Sequence, residues 1–183
     1  IADVSHYVKP STALDDDAQI RATSVYLPSF VVPMLPEAIS NELCSLKADV
    51  DRLALVCDMQ VAANGEVRDF DFYDAVIRSH GRLTYEQVQD HLDNGRELPV
   101  ARSDQKQVAK SVAALAMLHD VFRKARERRG GLDFETREGV IEVVDGHVTS
   151  VNPVQRLTAH QMIEEAMILS LIHISEPTRP LII

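Results

Sequence analysis

Cysteine is scarce in this chain. The 183 residues hold two, Cys44 and Cys57, both in apolar segments and not in a C-x-x-C pair. That spacing argues against a zinc site and suits two reduced, buried thiols in a cytosolic protein. Basic charge is also short: Lys and Arg total 19 against 28 Asp and Glu, a formal net charge of −9. Such a balance argues against nucleic-acid binding driven by the phosphate backbone alone. It does not exclude a nuclease, because divalent ions and neighbouring basic domains can handle the phosphates. No apolar run reaches the ~20 residues of a membrane-spanning helix. A leader with a basic n-region is missing as well. The chain opens Ile1-Ala2-Asp3 without an initiator Met, as expected of a piece that starts mid-domain. There is no internal repeat and no low-complexity tract. What remains is ordinary for a globular domain with a sizeable core: 45% hydrophobic and 26% charged residues.

Local signals then predict the elements. Ile1 to Val8 alternates enough for a strand, ended by Pro10 and Ser11-Thr12. Leu14 to Ala22 is predicted as a short helix, with Asp15, Asp16 and Asp17 in its first turn, where carboxylates suit the helix dipole. Pro28, Pro33 and Pro36 fall within nine residues of an apolar run. They rule out a helix there and force an extended, turning path. From the residues alone that path is a buried connector or a binding loop. Pro36 to Leu43 is expected to form a helical turn or two. Arg52 to Ala63 and Glu66 to Ser79 are β-rich and flank Asn64-Gly65, a type I′ hairpin signal. Leu53, Leu55, Cys57, Met59 and Val61 would share one face of that hairpin.

Thr84-Tyr85-Glu86-Gln87 has a capping-box pattern, and Asn94-Gly95 closes the helix it opens. Ser103 is expected to cap a long helix to about Arg129, with Val108, Val112, Leu115, Leu118, Phe122 and Ala125 as its buried stripe. The helix ends in Arg123, Lys124, Arg126, Arg128 and Arg129. That run serves equally as a phosphate-binding face or as compensation of the helix dipole. Gly130-Gly131 stops the helix. Leu132 to Phe134 and Gly139 to Val144 are predicted strands, and Asp145-Gly146 turns the chain back into His147 to Val151. Thr158-Ala159-His160-Gln161 caps a last helix, with Ala159, Met162, Ile163, Ala166 and Met167 on its apolar face. The order is mixed and hairpin-rich, so the expected class is α+β, a mixed hairpin-rich β-sheet core with flanking helices.

Few residues suggest chemistry by themselves. Asp15, Asp16 and Asp17 would suit a hard cation. Consecutive helix residues point ~100° apart, however, so a solvated helix start explains them better. Taken bare, Tyr26 is a core aromatic, Tyr85 a half-buried tyrosine at a helix start, and Phe134 a strand residue facing the core. His160 and Glu164 are a solvated pair at i, i+4 spacing.

A wider pattern changes that picture. Tyr26-Leu27-Pro28, Pro33-Met34-Leu35-Pro36, Ser40 and Leu43-Cys44-Ser45-Leu46 come in order, and Glu164-Glu165-Ala166-Met167-Ile168 follows far downstream. Together they resemble the catalytic (RNB) domain of the ribonuclease II and ribonuclease R exoribonucleases. The resemblance covers residues 1–168 and implies a partial RNB catalytic domain. Its parent would hydrolyse single-stranded RNA processively from the 3′ end to nucleoside 5′-monophosphates, with Mg²⁺, as a cytoplasmic monomer free of membranes. Cold-shock and S1-type domains are implied at its flanks.

The resemblance also implies roles. Tyr26 and Phe134 would stack on bases, Tyr85 would help tell RNA from DNA at the ribose, and Glu164 would contact the terminal nucleotide. The family's aspartate cluster, D-x5-D-x-D-D, lies just upstream of the strand where this chain begins. No catalytic residue and no metal ligand is therefore expected within the chain, and the chain alone is expected to be inactive. The rival reading is a non-catalytic RNA-binding or scaffold protein on the same fold. Residues 169–183 depart from the family and look like the in-frame translation of a transposase-type sequencing adapter. They are expected to be a non-native tail.

Overall fold

Helices and two-stranded ribbons follow one another along the chain, an α+β arrangement. It is seen in a computed structural model that describes residues 1–28, 30–130, 139–144, 147–153 and 156–175. The elements are α1 (Ala13–Arg21), β1 (Val25–Leu27), β2 (Phe30–Val32), β3 (Asp51–Val61), β4 (Val67–Arg78), α2 (Tyr85–Asn94), α3 (Gln105–Arg128), β5 (Gly139–Val144), β6 (His147–Pro153) and α4 (Thr158–Ser175). The strands pair as β1–β2, β3–β4 and β5–β6. The chain divides into two units, and the long β3–β4 hairpin contributes to both.

The first unit draws on Ile1–Val56, Phe72–Ser79 and Glu135–Gln155. Its start corrects the expected strand over Ile1 to Val8. Only Ala2 bridges, to Ala54 on β3, and Val4–His6 then turn as a short 3₁₀ segment. The cause is local. The Asp3 carboxylate accepts from the Ser5 hydroxyl at 2.6 Å and from the His6 N–H at 3.0 Å, which offers the backbone a turn in place of a ladder. The Ser5 hydrogen bond, above all, holds the Asp3 carboxyl below its usual range. α1 forms as predicted, with the Thr12 hydroxyl accepting from the Asp15 N–H at its start. The chain from Ala38 to Leu43 makes a π-helical turn. β5 and β6 pair antiparallel with an irregularity between Glu142 and Val143.

Neither cysteine is fully buried, as the sequence had suggested; both are half-buried and free. Burial pushes both thiols up, with help from Asp3 at Cys44 and from Asp58 at Cys57. Both should alkylate more slowly with iodoacetamide at pH 7 than free cysteine does, and urea should restore the ordinary rate. Mass spectrometry of the labelled chain reads this directly; native thiols as fast as unfolded ones would refute it.

The second unit draws on Cys57–Asp71, His80–Phe134 and Arg156–Ile183, and holds most of the buried apolar residues. Its core joins Val112, Phe122 and Ala125 of α3 to Ala159 and Met162 of α4, with Leu98 beneath the loop before α3. Burying Phe122 or Met162 contributes ~1.5–3 kcal/mol each. The predicted stripe on α3 therefore holds in outline, and it gains a member. His119 is 6% exposed, its Nδ1 without a hydrogen-bond partner. On α4, Ala159 and Met162 are buried as expected, whereas Ile163 and Met167 are exposed.

Two local expectations fail here for identifiable reasons. Ser103 does not cap α3. Asp104 holds the cap position, and its carboxylate is taken by the Ser103 hydroxyl at 3.1 Å and His80 Nδ1 at 3.3 Å. Asn64-Gly65 is not a type I′ turn, because Asn64 has no positive φ while Gly65 has φ +84°. The Gly65 N–H instead donates to Ala62 C=O at 2.9 Å, and the Ala62 N–H donates to Glu66 C=O at 2.9 Å. This is the longer hairpin loop with one left-handed glycine. The Asn64 side chain accepts from the Glu66 N–H at 3.1 Å, which favours that geometry.

The strand expected at Leu132–Phe134 and the turn at Asp145-Gly146 lie outside the described residues.

Candidate nucleic-acid interface

In the first unit the proline-rich run is not a buried connector. It forms a tight antiparallel hairpin, with Val25 opposite Val32, Tyr26 opposite Val31 and Leu27 opposite Phe30. β-Branched Val25, Val31 and Val32 suit the strands, and Pro28 sits where the chain turns. So short a ribbon is marginal by itself. Side chains pin its base: Ser24 Oγ accepts from the Met34 N–H at 2.9 Å, and Arg21 Nη1 donates to Pro33 C=O at 3.2 Å while its Nε pairs with Asp17. The pinned hairpin leaves Tyr26 78% exposed and Phe30 62% exposed. Tyr26 is thus an outward-facing aromatic and not the core residue that its apolar neighbours suggested. Phe30 beside it was not singled out from sequence, although its place in the same run was the available signal.

In the second unit Tyr85 packs on His160 of α4, one helical turn before Glu164. The capping box is complete: Thr84 Oγ1 accepts from the Gln87 N–H, and Gln87 Oε1 accepts from the Thr84 N–H at 2.9 Å. Tyr85 follows as the first residue of α2, 42% exposed. Its ring stacks on His160 of α4, with centroids 4.0 Å apart and planes inclined by 24°. His160 is itself fixed, since its Nδ1 accepts from the Leu157 N–H at 3.2 Å, which leaves the ring proton on Nε2. The start of α4 is further tied to α2 by Gln89 Oε1, which accepts from the Ala159 N–H at 3.1 Å.

Glu164, one turn after His160, does not pair with it as the bare i, i+4 reading supposed. Its Oε2 takes a 2.5 Å bond from Arg156 Nη2. Glu86, close by, is held below the usual carboxylate range by its own backbone N–H first, then by the Thr84 hydroxyl. Gln89, Arg156 and the His160 stack had no sequence signal, because each depends on a partner from a distant segment. Phe134 lies outside the described residues.

The basic end of α3 is largely spoken for. Arg123 pairs with Glu127 at 2.8 Å, Arg126 with Glu165, and Arg128 donates to Asn64 C=O at 2.5 Å. These contacts stitch α3 to α4 and to the β3–β4 turn. Arg126 and Arg129 also line a cleft of about 540 Å³, facing Glu66 and Glu165. Two acids there offset two bases, so the cleft does not favour a phosphate.

The acidic trio behaves as a helix start. Asp15 accepts from the Ser11 N–H at 2.9 Å and from Gln19, while Asp17 pairs with Arg21. Among the described residues no group of three or more His, Cys, Asp or Glu could hold a metal ion. The described carboxylates do not form a Mg²⁺ site, and no chemical step is assigned to a metal on them. No described helix is long and apolar enough to cross a membrane.

Comparison with known proteins decides the family. The model of the RNB domain matches residues 1–174. The chain belongs to the RNB-domain family. Ribonuclease R of Escherichia coli K12 is 47% identical over 171 residues, which cover 93% of this chain and 21% of that protein. RNase R of Mycoplasma genitalium, solved in complex with ribose-methylated single-stranded RNA, superposes with a TM-score of 0.87 at 35% identity, over 93% of this chain and 26% of that one. The same enzyme solved with double-stranded RNA superposes equally well. The chain thus spans about a fifth of the length of the curated relatives it matches. As an RNB-domain chain it carries the expected α+β fold, and the ordered motif from Tyr26 to Leu46 marked that family correctly.

Proposed function

We propose that the chain is part of a 3′-to-5′ exoribonuclease that hydrolyses single-stranded RNA to nucleoside 5′-monophosphates, and that its own share of the work is to hold the RNA. The RNB match over residues 1–174 supports this most. In this reading Tyr26 and Phe134 stack on bases. Every base has a π-face, so such contacts tolerate any sequence. The Tyr85 phenol meets the ribose 2′-hydroxyl, the sugar group that separates RNA from DNA. Glu164 accepts from hydroxyls of the terminal nucleotide. A carboxylate beside RNA is repelled by phosphates, and the Arg156 guanidinium at 2.5 Å offsets that repulsion. Mg²⁺ would supply the water activation in the parent enzyme, on ligands outside this chain. The parent acts as a cytoplasmic monomer, and residues 169–183 are a non-native tail in this reading, although the family match runs on to residue 174.

Two assays test the proposal. The isolated chain should release no nucleotide from 5′-labelled oligo(A) in the presence of Mg²⁺. Residues 1–168 grafted in place of the matched segment of Escherichia coli Ribonuclease R should give a graft that degrades the same oligomer. Robust digestion by the isolated chain would overturn the absence of catalytic groups. A folded, RNA-binding graft without activity would favour the non-catalytic scaffold.

A further inference from the structure

We propose that His160 is a positioning residue for ribose recognition. It holds the Tyr85 ring in register with Glu164; this rests on the reading above, in which Tyr85 and Glu164 touch the terminal ribose. Three observations converge on it. Its imidazole lies face to face with the Tyr85 ring, centroids 4.0 Å apart. Its own orientation is set by the Leu157 N–H bond to Nδ1 at 3.2 Å, so the ring is a fixed platform. It stands one helical turn before Glu164 on α4, and at that spacing two side chains share a helix face.

The physical need is clear. Tyr85 is the first residue of α2 and partly exposed, so no preceding turn of its own helix lies beneath the ring. A phenol that must meet a single 2′-hydroxyl has to be held to a fraction of an ångström, and second partners supply such holding. The His160 stack fixes the ring. The Gln89 bond to the Ala159 N–H at 3.1 Å ties the two helices at the same place. Tyr85, from α2, is thereby brought beside the face of α4 that carries Glu164. Neither helix could set that relation by itself.

The test uses the graft of residues 1–168 in Escherichia coli Ribonuclease R. The readout is the ratio of kcat/KM on an all-ribose oligo(A) to that on the same oligomer ending in 2′-deoxyriboses. A merely structural role would depress both substrates together and leave the ratio alone. His160→Ala should lower the ratio by about three- to tenfold, the range of one aromatic stack, and His160→Phe, which keeps a flat ring but loses the Leu157 bond, should restore most of it. Should His160→Ala fail to fold, His160→Leu against His160→Phe makes the same comparison at similar bulk. Equal ratios in the two would overturn the proposal. Tyr85→Ala is run beside them. If it moves the ratio and His160→Ala does not, the positioning role is wrong and the ribose reading stands. If Tyr85→Ala leaves the ratio unchanged, the ribose reading fails and the proposal with it.

Discussion

Gly65→Ala should destabilise the second unit by about 3 kcal/mol. Two costs add. Gly65 sits at φ +84°, where a side chain costs ~1–2 kcal/mol. An added Cβ would also meet Ala125 Cβ at 2.7 Å and the Val121 carbonyl oxygen at 3.3 Å, an overpacking of a kind that costs ~1–3 kcal/mol. Gly95 separates the two terms. It closes α2 at φ +68°, and an added Cβ there meets nothing within 4 Å. Gly95→Ala should therefore cost only the conformational part, ~1–2 kcal/mol. Native-state hydrogen exchange of the α3 amides in the graft reads the local opening free energy without requiring whole-protein two-state unfolding. Equal effects of the two substitutions would show that the approach of the hairpin loop to α3 is loose. The comparison matters for function because the same helix is tied to α4, which carries His160 and Glu164, through Arg126 and Glu165.

Tyr26→Ala is expected to weaken single-stranded RNA binding of the graft by ~1–3 kcal/mol, about 5- to 150-fold in Kd. Stability should hardly change. The side chain is 78% exposed and makes its ladder bonds through the backbone, and exposed sites of this kind usually stay within about 0.5 kcal/mol. Tyr26→Phe keeps the ring face and should bind nearly as well as the parent. Stacking also responds little to salt, whereas phosphate contacts respond strongly. The slope of log Kd against log salt should accordingly be the same in Tyr26→Ala and the parent. Unchanged affinity in Tyr26→Ala would remove the stacking role, and a changed slope would point to a phosphate contact in its place.

Much of this protein was legible before any fold was known. The capping box at Thr84, the glycine stop at Gly95 and the short helix α1 rest on interactions within a turn or so of helix, the apolar stripe of α3 on its spacing, and they form as the residues demand. The failures came where two local options compete. Asp3 chose a side-chain turn over a strand, Asp104 displaced Ser103 at a helix start, and Asn64 spent its amide on Glu66 and left the left-handed position to Gly65 alone. Each alternative is a short hydrogen bond that residue propensities do not rank.

The candidate interface divides in the same way. The ordered prolines and aromatics from Tyr26 to Leu46, with the distant Glu164 segment, sufficed to identify the RNB family, because they are properties of the linear chain. They could not say that Tyr26 faces outward, since an apolar proline-rich run reads equally as core. The hairpin pinned by Ser24 and Arg21 made that decision. Nor could they join Tyr85 to His160, Arg126 to Glu165, or Gly65 to Ala125. Local chemistry acts over a few bonds of backbone, and where no second local option competed the sequence alone determined what it governs: most elements, several of their ends and the family they spell. Contacts between distant segments depend on how those elements pack, and that packing alone decided which side chains stand close enough to hold one another in place.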